Sequence, residues 1–326
     1  MPKETTNKRG MHLTERDQAV INDVARYGII REPTLHRLHF ADIKEQRNVQ
    51  TKLKRLIDHK YLERRLAPII HRSDILFINP TLQDRHDAVY FLGQAGAALL
   101  SRRYDSRYED VTADKLYHRI DIVDTRVCLE LAIAQSKDTT LAYWFNEFDR
   151  AEDGRFVLHD RVKVFDPTTE KPATFPLRPD GCFVLRDSAT GAEDLFFLEV
   201  DRGTEYGLKR WKEKVLPYVA YWKDGHFQKR YRFFKGKGFR VLIINRSERD
   251  KEPDKRKRNL IDKTYRLGGR KQFYFATFKD AMPDDQVTGD HILQAPIWQR
   301  AEAPDAEECP PLCFTDYLFG RDLARS

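Results

Sequence analysis

A chain of 326 residues that is 33% charged, 40% hydrophobic and 12% aromatic is long enough for two domains, each with its own core. No apolar run approaches the roughly 18 residues of a membrane-spanning helix, and the charged opening MPKETTNKRGM has no apolar signal-peptide core. Four cysteines are too few for a disulfide framework at this length, so a reducing cytoplasm is expected. Cys309 and Cys313 lie close in CPPLC but have no second ligand pair to complete a zinc site. The net charge of +7 is uneven: Lys229 to Lys271 holds 17 basic and 5 acidic residues, whereas Gln272 to Ser326 holds 4 basic and 10 acidic. A basic block inside an ordered domain is either a footprint for a polyanion or a solvated surface.

In chain order, LTERDQAVINDVARYG predicts a helix capped by Thr14, with Asp17 three residues on, and stopped by Gly28. REPTLHRLHF predicts a second, short helix with Pro33 in its first turn. His36 and His39 there read as packing or surface residues. The third helix, about Asp42 to Lys60, buries Val49, Leu53, Leu56 and Ile57. Its other face shows Arg47, Asn48, Gln50, Thr51, Lys54 and Arg55. Strands follow at YLERRL and AVYFL, on either side of an irregular stretch with Pro68 and Pro80, and then a helix at GQAGAALLSRR. Three helices and a hairpin are the order of a winged helix, and the third helix carries side chains that reach base edges and phosphates in a major groove. This domain is set at 11–103.

After a linker a second domain is expected over 112–280. DKLYHRIDIVDTRVCLELAIAQ predicts a long helix, and LAYWFNEF, LRPDGCFVLRD and DLFFLEVDR predict three strands. Helices at EYGLKRWKEKVLPYVAYW and DKRKRNLIDKTYRLG then alternate with strands at FRVLIINRS and KQFYFATF, which argues for an α/β sheet. The segment 281–326 has no clear period and reads as an appendage.

The strand DLFFLEVDR ends in Glu199 and Asp201, and buried carboxylates need compensation. A hairpin centred near Thr190 and Gly191, with partners summing to about 380, sets Asp180 opposite Val200, beside both acids. Three such acids together either raise one pKa steeply or bind a hard cation (magnesium, manganese or calcium), which can activate water for displacement at phosphorus. The bland alternative pairs them with Arg178 and Arg202 at the surface.

RPDG, then FFLEVDRGTE, then KEKVLPYVAYW resembles the replication-relaxation family of plasmid and mobile-element proteins and the related MobC class of conjugative relaxases. LTERDQAVINDVARYG, LKRLIDHKYLERR and VYFLGQAGAALL also match, so the resemblance runs over roughly residues 11 to 245. It implies a winged helix followed by a restriction-endonuclease-like PD-(D/E)xK domain, a mixed sheet flanked by helices, within an α+β or α/β chain. It places Asp180 and Glu199 in the paired-acid positions, while Asp201 stands where the general pattern has lysine. Helix phase offers Lys214 as the substitute cation, at the edge of a stripe of Leu208, Trp211, Val215, Val219 and Trp222, with Lys209 farther round.

The expected function is site-specific nicking of double-stranded plasmid or mobile-element DNA, dependent on magnesium or manganese, with other mobilisation or replication proteins as further candidate partners. Asp180, Glu199 and Asp201 are the expected metal ligands, and Lys235, Lys237, Lys255, Arg256, Lys257 and Arg258 the phosphate contacts. The alternative is a catalytically silent DNA-binding regulator of replication or copy number.

Overall fold

The computed structural model describes residues 11–66, 88–104, 111–203, 208–246, 253–283, 286–302, 311–315 and 318–319. Cys309, the stretch 67–87, residues 105–110 of the linker and Glu205 therefore lie outside the described residues. The chain divides into two compact units, 1–124 and 125–326. That boundary falls inside α5, Ala113–Gln135, instead of in the preceding linker. The ion pair between Asp124 of this helix and Arg31, at 2.6 Å, with Thr34 donating to the same carboxylate, ties its first half to the first unit.

In the first unit α1 (Glu15–Tyr27) begins at a complete Thr14–Asp17 capping box and ends where Gly28 takes φ 81°. A three-residue strand β1 (Ile29–Arg31) follows at once and leads into α2 (Glu32–His39) and α3 (Gln46–Asp58). Strands β2 (Leu62–Leu66) and β3 (Ala88–Leu92) complete an antiparallel sheet in the order β1-β3-β2, and α4 (Gln94–Leu99) closes the unit's run. Val20, Ile21, Val24, Leu35, Val49, Leu53 and Leu56, at helical spacing, fill the core between helices and sheet.

The second unit is built on a seven-stranded mixed sheet, ordered β12-β11-β10-β9-β8-β7-β4. Strands β4 (Thr139–Asn146), β7 (Gly181–Asp187) and β8 (Glu193–Asp201) are antiparallel neighbours. Helix α6 (Leu208–Asp224) then crosses over to β9 (Phe239–Asn245), parallel to β8, and α8 (Pro253–Arg266) to β10 (Phe273–Thr277), parallel to β9. The short helices α7 (His226–Arg230) and α9 (Phe278–Ala281) fill the connections. Among the described residues this makes a mixed α+β chain of nine helices.

Between β4 and β7 the chain forms a hairpin absent from the sequence reading, β5 (Asp160–Asp166) and β6 (Lys171–Leu177), which packs on α6. Pro172 and Pro176 mask its strand pattern, although β5 alternates buried and exposed residues. The hairpin gives α6 a second partner. Tyr221 donates to Asp160, Lys212 pairs with Asp166 at 2.7 Å, and the buried arc shifts to Trp211, Val215, Tyr218, Val219 and Tyr221. Trp222, expected in that stripe, is instead 43% exposed.

Residues 296–300 likewise depart from the reading of an appendage. They form β11 (Pro296–Arg300), hydrogen-bonded antiparallel to β10 and followed by β12 (Leu312–Cys313). Trp298 is buried, donates to Ile292 O and packs 5.7 Å from Phe314. Trp298→Ala is therefore expected to cost about 3–5 kcal/mol in urea unfolding, as core aromatic truncations do. A residue of a loose appendage would cost less than about 0.5 kcal/mol.

Candidate functional site

The acids sit where β7 begins and β8 ends. The observed pairs, Gly181↔Leu198 through Arg186↔Glu193, shift the expected register by one residue. The turn is closed by Gly191 N to Asp187 O and Asp187 N to Ala192 O, with Gly191 at φ 70°. That leaves an even-numbered loop, whereas the expected register needs an odd-numbered one. Continued by one residue, the ladder sets Asp180 opposite Glu199 and not Val200. Asp180 N donates to Leu198 O, and Val200 N donates to Asp180 Oδ2 at 2.8 Å. Directly opposed residues share a sheet face, so Asp180, Glu199 and Asp201 all lie on the face that α6 and α8 cover.

Each helix answers one acid. Lys214 Nζ lies 2.8 Å from Glu199 Oε2, and the Tyr218 hydroxyl donates to Glu199 Oε1 at 2.5 Å. Burial pushes the Glu199 carboxyl up to about 7; Lys214 opposes the rise and the charge of Asp180 adds to it. Burial and the neighbouring Glu199 push the Tyr218 hydroxyl well above its usual range, so it stays a donor. Asp201 belongs to α8: Arg256 grips it with Nε at 2.6 Å and Nη2 at 2.8 Å, and Gly203 N adds a third bond at 3.2 Å.

Thus the three-acid cluster resolves into an Asp180–Glu199–Lys214 group and a separate Asp201–Arg256 fork. Among the described residues no three histidines, cysteines or acids are grouped to hold one ion. Lys209 is exposed. Tyr218 was missed as a site residue, and Arg256, expected as a phosphate contact, is instead the partner of Asp201. Tyr218 stands one helical turn from Lys214, a signal available in the sequence, whereas nothing local pairs Arg256 with Asp201.

The basic residues divide in the same way. On α8, Lys255 and Arg258 are exposed. Arg256 and Lys257 are buried in ion pairs, Lys257 with Asp254 at 3.0 Å and Asp280 at 3.6 Å, so they are not surface phosphate contacts. On α3, Gln50 donates to the buried Glu32 at 2.9 Å, alongside Gln46 and the Tyr90 hydroxyl. Burial opposes the ionised form of Glu32, but these donors outweigh it and hold the carboxyl below its ordinary range. Lys54 pairs with Asp58 and Arg55 with Asp17. Arg47, Asn48 and Thr51 stay exposed, with Lys52 beside them. Asn48 is only loosely engaged, 3.3 Å from Glu45, and Thr51 bonds back to Arg47 O.

The family pattern described as Replication-relaxation matches residues 22–236, more than half of the chain, and the chain belongs to that family. Membership suggests a role in plasmid replication or relaxation and implies an involvement with DNA. No curated protein matches the sequence. Among solved structures, the human Nocturnin catalytic domain with bound sulfate is similar at 9% identity, over 84% of this chain and 68% of that one. Its TM-score of 0.18 carries no argument. Among the described residues no helix is long and apolar enough to cross a membrane.

The folded pKa of Glu199, about 7, exceeds its ordinary 4.5. Between those values the folded chain keeps a proton that the unfolded chain has released, so this group's contribution to stability falls as pH rises through that window. Glu199→Gln is expected to flatten that part of the profile, gaining on wild type between about pH 5 and about pH 8 in urea unfolding.

Proposed function

We propose that this chain is a DNA-processing protein of a plasmid or mobile element. Its first unit acts as a winged helix that selects a duplex site, and its second acts as an endonuclease-like domain that nicks one strand with magnesium or manganese. The observation that carries the reading is the Asp180, Glu199 and Lys214 group, two carboxylates on one sheet face with a lysine 2.8 Å from the second. The order helix, strand, helix, helix, hairpin, with sheet order β1-β3-β2, supports the winged helix. A helix, three antiparallel strands and a helical crossover to a parallel strand support the endonuclease-like frame.

The residues present fit a hard divalent ion. Magnesium commonly takes one or two carboxylates and keeps several waters. Asp180 and Glu199 form such a pair, and the raised pKa of Glu199 marks a place where burial and a neighbouring negative charge favour an added cation. Asp201 stands apart: it takes three bonds, a two-bond fork from the permanently charged Arg256 and a third from Gly203 N, whereas Glu199 takes one from Lys214 and one from the neutral Tyr218 hydroxyl and has Asp180 as its neighbour. When bound, the ion supplies Lewis-acid polarisation of a phosphoryl oxygen and a more acidic water.

The chain's own groups do the positioning. Asp180 and Glu199 are the residues that would hold the ion. Tyr218 holds one oxygen of Glu199, so the carboxylate cannot swing away. Lys214 favours the ionised form of Glu199 and, from the half-buried flank of α6, presents its ammonium to charge developing on the phosphate. Asp201, in the position of the general lysine, serves with Arg256 to brace the end of β8 against α8.

Nicking of supercoiled plasmid by the purified full-length chain tests this. Asp180→Ala is expected to abolish metal-dependent nicking. Lys214→Met should lower the rate by about 10²–10³, the usual loss for one positioned charge-stabilising group, while Lys209→Met stays near wild type. If no metal supports cutting by the wild-type chain, the silent-regulator reading replaces this one.

Site selection is assigned to the outward residues of α3. Asn48→Ala is expected to weaken binding to the preferred duplex by about 1–3 kcal/mol and to random duplex by less, in fluorescence anisotropy. Equal losses on both would remove α3 from sequence reading.

A further inference from the structure

The segment KRYRFFKGK, Lys229 to Lys237, carries five cations and no acid. Its aromatic residues anchor it to the second unit: Tyr231 and Phe234 are buried, and Phe233 packs 5.1 Å from Tyr143 and 5.0 Å from Phe145 on the edge strand β4. This anchoring leaves Lys229, Arg232, Lys235 and Lys237 exposed. Glu193, beside the segment, accepts from Lys235 N and is paired with Arg186 at 2.6 Å, which offsets its charge. Arg186 also interacts with Tyr143.

Two large rings remain exposed beside these cations. Tyr143 is 38% exposed and opens a lateral row of the sheet, Tyr143, Val184, Leu195 and Phe239. At the other end of the row Trp222 packs 5.4 Å from Phe239 and is 43% exposed. Its indole lies on Gly238, where a Cβ would meet the ring at 2.7 Å, so the glycine allows the backbone to serve as its support. Three strand spacings separate the two ends of the row, about 14 Å.

We propose that this surface binds single-stranded DNA, with phosphates on Lys229, Arg232, Lys235 and Lys237 and unpaired bases stacked on Tyr143 and Trp222. A duplex keeps its bases stacked inside and offers cations its phosphates alone. A single strand offers both phosphates and open base faces, which is what a cationic segment flanked by exposed rings can hold. The inference deepens the nicking reading and rests on it for the source of the strand, since a nick frees one. The row lies four residues along β8 from Glu199, about 13 Å.

Anisotropy of a fluorescent oligothymidine with the full-length chain in EDTA tests the surface independently of cutting. Tyr143→Ala and Trp222→Ala are each expected to weaken binding by about 5- to 150-fold, as loss of a stacking platform does, with a duplex of equal length nearly unaffected. Tyr143→Phe, which keeps the ring, should bind as wild type. Lys235→Ala with Lys237→Ala should lower the salt slope by about 0.7 for each phosphate that is no longer neutralised. Unchanged oligothymidine binding in both aromatic variants, or equal losses on duplex and single strand, overturns the proposal. A chain that never nicks yet binds oligothymidine through these rings overturns the nickase reading and leaves this surface standing.

Discussion

An interior strand of the sheet ends in buried carboxylates, and that constraint organises the second unit. Leu195, Phe196, Phe197 and Leu198 put β8 at the centre of the core, so Glu199 and Asp201 are taken out of water with it. An uncompensated charge there costs several kcal/mol. The helices on that face supply the compensation: α6 gives Lys214 and Tyr218 to Glu199, and α8 gives Arg256 to Asp201. The crossovers thus do more than return the chain to a parallel strand. They bring cations to strand ends, which is also where chemistry on a phosphate needs them.

The two answers differ in kind. Arg256 meets Asp201 with two bonds in one plane, the geometry a guanidinium offers and an ammonium cannot. That pair is saturated and structural. Glu199 faces a single ammonium and a neutral hydroxyl, with Asp180 on the adjoining strand, and its carboxyl is pushed up to about 7 by burial and by that neighbour. One acid is settled by its fork, while the other remains sensitive to any added cation or proton. The contrast separates a brace from a candidate reactive centre within three residues of one strand.

The same division between inward and outward charge runs through the rest of the chain. Glu32 is buried near the start of α2 and draws Gln46 and Gln50 of α3 and Tyr90 of β3 onto its two oxygens. Those amides orient α3 and leave Arg47, Asn48 and Thr51 on its outer side. In the second unit Arg256 turns inward to the buried Asp201, and Lys257 is itself buried beside the more exposed Asp254 and Asp280. Outward cations remain at Lys255 and Arg258 and in the aromatic-anchored segment before β9. A count of charges in the sequence overstates what a polyanion meets, because a buried acid claims a cation or a donor first.

Local features were legible from the sequence alone. The Thr14–Asp17 capping box and the Gly28 stop, the apolar phase of α3 and the hairpin of β7 and β8 each depend on neighbours within a turn or a hairpin. Helix phase also put Lys214, and not Lys209, on the side where Glu199 lies. Only the tertiary structure decided the remainder. The register of Asp180 hung on the parity of one loop, and Trp222 emerged because an unforeseen hairpin claimed Tyr221 and Lys212. Residues 296–300 became a strand because β10 offered an edge to pair with. Arg256 reached Asp201 across 55 positions of sequence. Periodicity reports which face of an element is apolar, whereas the partner that covers the face, and so the charges left within it, is set by packing between elements far apart in the chain.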